Sequence, residues 1–86
     1  LGSEKAGHHA LLGQALTAVT GKLKEAEEAF QKAIQLDPAN AAYYMGLGWV
    51  YKKGGIKSRA RAQFEEALKW SPGNKQAQEE IQKLKD

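Results

Sequence analysis

The chain has 86 residues and a formal net charge of +3, which allows one small domain whose core is only just large enough to support itself. It contains no cysteine, so disulfides and thiolate metal sites are excluded and the redox compartment stays undetermined. Since no apolar segment approaches the roughly 20 residues needed to cross a bilayer, we predict a soluble protein without a membrane span, with the cytoplasm slightly favoured.

The first predicted helix, from about residue 4 to residue 19, follows three residues (1–3) that resemble a remnant of cloning. Its apolar pattern is irregular. Two registers are possible. In the first register the turn after the helix holds one extra residue, Leu12-Gly13 matches Leu47-Gly48, and the inward residues are His9, Leu12, Gly13 and Leu16. In the second register the turn has ordinary length, and the helix is rotated by about 100° relative to the first. The sequence leaves both registers open.

Three further helices, predicted over about residues 22–36, 40–53 and 57–70, have apolar stripes at the spacing of an inward helix face. The residue before Pro38 is pushed out of helical geometry, and Gly54-Gly55 and Pro72-Gly73 end the later helices. The inward residues are Ala26, Phe30, Ala33 and Ile34 in the second helix, Tyr44, Leu47, Gly48 and Tyr51 in the third, and Ala60, Phe64, Ala67 and Leu68 in the fourth.

The last predicted helix, residues 74–86, has a narrow apolar stripe formed by Ala77, Ile81 and Leu84. Lys, Gln and Glu surround this stripe. One apolar face on an otherwise polar helix is typical of a segment that covers the end of a stack.

The chain repeats itself at an offset of 34 residues. Six residues recur unchanged, as the pairs Gly21/Gly55, Ala26/Ala60, Phe30/Phe64, Ala33/Ala67, Pro38/Pro72 and Asn40/Asn74. Ile34 corresponds to Leu68, and Leu36 to Trp70. A fixed period of this length is typical of stacked helix–turn–helix units that bury each other's apolar faces.

These positions resemble the tetratricopeptide repeat family over nearly the whole chain. The resemblance implies an all-α fold of five helices, in which antiparallel helix–turn–helix repeats form a right-handed superhelix. It divides the single domain, 1–86, into a first repeat (about 6–40), a second repeat (41–74) and a capping helix (75–86). The residues that carry it are Leu12, Gly13, Gly21, Ala26, Phe30, Ala33, Pro38, Tyr44, Leu47, Gly48, Tyr51, Gly55, Ala60, Phe64, Ala67 and Pro72.

The resemblance also implies a concave groove lined by the first helix of each repeat. The groove positions of the second repeat are Ala42, Met45, Trp49 and Lys52, and those of the first are Ala10 and Gln14, or Leu11 and Ala15 in the other register. Family members that clamp the C-terminal carboxylate of chaperone tails use Lys, Asn and Arg there. Met45 and Trp49 are apolar instead, which disfavours such a clamp. We interpret Trp49 above Met45 as an exposed anchor for an apolar partner side chain, the alternative being that both pack within the chain.

The positive charge is local. Five bases without an acid among them lie between residues 52 and 61, whereas the rest of the chain carries eight bases and ten acids. The five are Lys52, Lys53, Lys57, Arg59 and Arg61. They could hold an acidic or phosphate ligand, or they could be solvated, with the first two complementing a helix dipole. No aromatic residue interleaves with them, which disfavours nucleic acid.

Catalysis and metal binding are not expected. His8 and His9 point about 100° apart on a helix, so they cannot easily share an ion. The sequence offers no nucleophile with a base and an oxyanion donor beside it, and Gly54-Gly55 is not followed by a phosphate-loop motif. We therefore predict a protein that is not an enzyme and has no cofactor.

The sequence thus predicts a non-catalytic interaction module that binds a partner peptide or helix in a concave groove. The predicted groove residues are Met45, Trp49, Lys52, Ala42 and Gln14. Three alternatives stay open: self-association, for instance as a homodimer; a structural segment of a longer repeat array, with the last apolar stripe contacting a further helix; and an acidic or phosphate ligand at the Lys52–Arg61 cluster.

Overall fold

The computed structural model describes residues 2–85, and over that range the chain forms five α-helices and no strand. They are α1 (Gly2–Thr17), α2 (Leu23–Leu36), α3 (Ala41–Lys53), α4 (Lys57–Trp70) and α5 (Lys75–Lys83). Consecutive helices pack against one another, and α1 also contacts α3. The predicted all-α stack of helical hairpins is confirmed. Helix α1 begins at Gly2, inside the short segment interpreted as a remnant of cloning. The predicted domain limits, residues 1 and 86, lie outside the described residues.

Residues that recur at the 34-residue offset have the same structural role in both repeats, either in a turn or at the start of a helix. Gly21 and Gly55 have φ angles of +83° and +78°, the left-handed region that glycine tolerates best. The side chain of Asn40 accepts a hydrogen bond from the backbone N–H of Ala42 at the start of α3, and Asn74 does the same for Ala77 in α5, both at 3.0 Å. The repeated glycines therefore mark the turn inside each helical hairpin, and the repeated asparagines mark the starts of α3 and α5.

The core is built around two phenylalanines at equivalent places. Phe30 in α2 and Phe64 in α4 are both buried, as predicted. A β-carbon placed on Gly13 would lie 2.8 Å from the Phe30 ring, and one placed on Gly48 would lie 2.7 Å from the Phe64 ring. Gly13 therefore corresponds to Gly48, which confirms the register with one extra residue in the turn after α1.

The exposure of Leu12 contradicts its predicted place on the inward face of α1. It is 51% exposed, whereas its counterpart Leu47 is 4% exposed. Leu47 lies in α3, which packs on α2, while no preceding helix covers the matching side of α1 within residues 2–85. The predicted inward position of Leu12 is therefore wrong. The residues of α1 that are buried or half-buried are Ala6, Gly7, His9, Ala10, Gly13, Leu16 and Thr17.

The apolar stripe of α5 packs as predicted, but the same face also buries a charge. Ala77 and Leu84 are buried in the common core, and Ile81 packs partly against it. Glu80 lies on this face with 4% of its surface exposed. The stripe thus packs against the core of this chain.

The close contact between glycine and phenylalanine makes a prediction about stability. Gly48→Ala should lower the free energy of unfolding by about 1–3 kcal/mol, because the new methyl group would overlap the Phe64 ring. The matched control is Gly7→Ala, where nothing lies within 4 Å of the added atom and helix propensity should raise stability by about 0.5–1 kcal/mol. Urea denaturation followed by circular dichroism measures both, and equal effects of the two substitutions would contradict the packing account.

Candidate functional site

A concave groove of 840 Å³ lies between α1 and α3. Gly7, Ala10 and Gly46 are among its lining residues, so small side chains leave space between the two helices. Larger apolar side chains enter it from both sides, Leu11 from α1 and Trp49 from α3. Ser71, Asn74 and Gln76 line it from the segment around the start of α5. The lining is therefore mainly apolar, with polar side chains from this segment and from α1, such as Glu4, His8 and Gln14.

Most of the predicted groove residues lie together in this groove. Ala42, Met45 and Trp49 line it from α3, and Gln14 lines it from α1. Ala10 and Leu11, one from each of the two registers, line it as well, whereas Ala15 is not among its lining residues. Lys52 is not part of the lining either, because its side chain is directed to Glu80.

Met45 is a core residue, contrary to its interpretation as part of an exposed anchor. Its surface is 7% exposed, and it packs in the same cluster as Phe30 and Leu47. Trp49 is half-buried, and its ring meets Phe64 edge-on with centroids 5.4 Å apart. Leu11, a predicted groove position only in the register without the extra turn residue, is 65% exposed. The large apolar side chains exposed in the groove are thus Leu11 and part of Trp49.

Lys52 has two partners within the chain. Its Nζ lies 2.6 Å from Glu80 Oε1 and 5.0 Å from the centre of the Trp49 ring. The other carboxylate oxygen of Glu80 lies 3.5 Å from Lys83 Nζ. Lys52 is therefore paired with an acidic residue of the same chain, on α5.

The other bases of the predicted Lys52–Arg61 cluster face different neighbours. Lys53 Nζ donates a hydrogen bond of 3.0 Å to the carbonyl of Thr17, at the end of α1. The Arg59 guanidinium lies 5.9 Å from the centre of the Tyr51 ring. Lys57 is exposed and Arg61 half-exposed. With Lys52 paired to Glu80, three of the five bases have partners on three separate elements.

The two histidines separate as their spacing predicts. His8 lines the groove, whereas His9 lies beside Leu12 and Leu16 on another side of α1. Within residues 2–85, no three His, Asp or Glu side chains are placed to hold a metal ion. Over the same range, no helix combines the length and apolar character that a membrane crossing requires.

The comparisons with known proteins agree with this architecture. A family model described as TPR repeat matches residues 19–55, and one described as Tetratricopeptide repeat matches residues 41–74. The chain belongs to the tetratricopeptide repeat family. Both matches begin after α1, the helix whose register departs from the 34-residue period.

Two relatives of this tetratricopeptide repeat chain are longer proteins. It is 37% identical over 62 residues to protein O-mannosyl-transferase TMTC1 of Mus musculus, a match that covers 72% of this chain and 7% of that protein. Its structure is similar to the crystal structure of MamA protein with a TM-score of 0.88 and 28% identity, over 95% of this chain and 44% of that one. The chain thus spans less than half the length of either.

Tyr51 of α3, which does not line the groove, forms a side-chain hydrogen bond with α2. Its hydroxyl donates a hydrogen bond of 2.6 Å to Glu27 Oε2. Burial raises the pKa of Tyr51 above 10.0, and Glu27 raises it further through the hydrogen bond and its negative charge, while the Arg59 guanidinium opposes this in part. The protonated phenol is therefore the form that the fold requires.

This shift predicts a loss of stability at high pH. Because the folded state keeps the Tyr51 proton above the ordinary pKa of 10.0, its contribution is complete below that pH and disappears as pH rises through the higher folded pKa. Tyr51→Phe should therefore show a shallower fall in the free energy of unfolding between about pH 9 and about pH 11, measured by urea denaturation. Tyr44→Phe, on the half-buried Tyr44, is the control. Parallel pH profiles for wild type and Tyr51→Phe would contradict the assignment.

Proposed function

We propose that the chain is a non-catalytic interaction module that binds an apolar segment of a partner protein in the groove between α1 and α3. Its family and its fold support a protein-interaction module. The observation that carries the finer proposal is the position of Leu11 and Trp49 across an open groove with small residues between them. The lining is mainly apolar, which suits a helix or extended peptide with one or two large apolar side chains.

The geometry of Trp49 suits a binding anchor. Its ring packs edge-to-face with Phe64 and lies beside the Lys52 ammonium, so little side-chain freedom is lost when a partner packs on its exposed part. Rigid aromatic residues surrounded by weaker contacts commonly dominate binding energy. Gln14, Asn74 and Gln76 line the same groove and can exchange hydrogen bonds with a partner backbone.

A second candidate, self-association through the uncovered side of α1, is favoured by Leu12. The same position in the second repeat, Leu47, is buried by the preceding repeat. Leu12 and Leu16 form an apolar surface edged by Lys22, which precedes α2, and by Glu25, Glu28 and Lys32 of α2. The formal charges at this edge sum to zero, so a second copy could approach without net repulsion despite the overall charge of +3.

Trp49→Ala tests the groove. We expect it to weaken binding of a partner captured from the source organism by about 30-fold, the effect of losing an aromatic hot spot, while the helical circular dichroism signal is retained. Trp70→Ala is the matched control, because Trp70 is exposed and does not line the groove. Titration by calorimetry measures both affinities. Undiminished binding by a folded Trp49→Ala variant would refute the anchor role.

Leu11 and Leu12 separate the two candidate surfaces, since adjacent residues of α1 point to different sides. If the second candidate is correct, sedimentation at several concentrations should show an associating wild type, a monomeric Leu12→Glu variant and a Leu11→Glu variant that associates like the wild type. The reverse pattern would place self-association in the groove. A wild type that stays monomeric at every concentration would exclude the second candidate.

A further inference from the structure

Glu80 is the buried charged residue of α5, and it sits close to the groove. Its surface is 4% exposed, and its two carboxylate oxygens lie 2.6 Å from Lys52 Nζ and 3.5 Å from Lys83 Nζ. The Lys52 ammonium in turn lies 5.0 Å from the centre of the Trp49 ring. Glu80 therefore reaches the groove through one intermediate side chain.

The charges of the groove itself are sparse. Among its described lining residues, Glu4 is the one carboxylate, and no lysine or arginine is present. Lys52 does not itself line the groove, but its ammonium contacts the Trp49 ring, which does, so Lys52 sets the charge nearest to that ring. Without Glu80 this charge would be a full ammonium beside the ring, a position that attracts carboxylates.

We propose that Glu80 determines the charge selectivity of the groove by neutralising Lys52 beside Trp49. This rests on the proposed function. The groove then accepts an apolar or uncharged residue beside Trp49 and has no preference for an acidic one. Glu80 acts through Lys52 and does not touch the partner, so it is a positioning residue.

The effect can be measured without any partner, by quenching Trp49 fluorescence with ions. All proteins carry Trp70→Phe, so that Trp49 is the single tryptophan. Iodide, caesium and acrylamide serve as anionic, cationic and neutral quenchers at constant ionic strength. Glu80→Gln keeps the shape of the side chain and an acceptor oxygen for Lys52 but removes the negative charge.

In Glu80→Gln we expect the iodide quenching constant, relative to that of acrylamide, to rise about twofold and the caesium constant to fall by a similar factor. This is the size expected for one uncompensated charge about 5 Å from the ring at physiological salt. Opposite changes for the two ions identify a change of charge, whereas a loosened α5 would raise quenching by all three agents.

Two further variants decide whether Lys52 carries the effect. The double variant Lys52→Gln/Glu80→Gln should return both ion ratios to the wild-type values, since the pair is then absent as a whole. Lys83→Gln, which removes only the more distant partner of Glu80, should leave the ratios unchanged. Unchanged ratios in Glu80→Gln, or altered ratios that persist in the double variant, would overturn the proposal. The outcome is independent of whether a partner peptide is found.

Discussion

The close packing of a phenyl ring on glycine is the constraint on which this structure depends. Phe64 of α4 lies against Gly48 of α3, and Phe30 of α2 lies against both Gly13 of α1 and Gly46 of α3. A side chain at any of these glycines would collide with a buried ring, so the helix axes could not approach as closely. Phe30 thereby fixes α1 and α3 relative to one another, and the groove between them follows from that separation.

The same packing prepares the groove for its proposed role. The phenyl ring that fills the hairpin of the second repeat also packs edge-to-face with Trp49, so the indole is held by the core. Gly46 serves twice, since it admits Phe30 on one side and leaves room in the groove on the other. The residues that pack the core and those proposed to bind a partner therefore overlap, which is why a binding test needs a parallel measurement of folding.

Helix α5 both covers the end of the stack and forms a charge pair with α3. Its apolar stripe closes the core, and its buried carboxylate joins α5 to the C-terminal end of α3 through Lys52. Breaking such a pair would leave a charge in a poorly solvated place, which is costly, and this restrains α5 in one position. At the other end of the molecule no equivalent element covers Leu12 within residues 2–85. The two ends of the stack are thus chemically different.

The sequence by itself determined where the helices lie and the inward faces of α2, α4 and α5, because these depend on local spacing: the glycines that end helices and the stripes around Phe30 and Phe64. It also matched Gly13 with Gly48, although it could not choose between two registers. Only the tertiary structure decided what each face meets. Leu12 and Leu47 occupy the same repeat position, yet one has no neighbouring helix and the other is buried. Met45 is drawn into the core, and Lys52 pairs with Glu80 28 residues away. A repeating pattern specifies which way a side chain points, but burial and charge pairing depend on which distant element lies there, and that is set by the three-dimensional stacking.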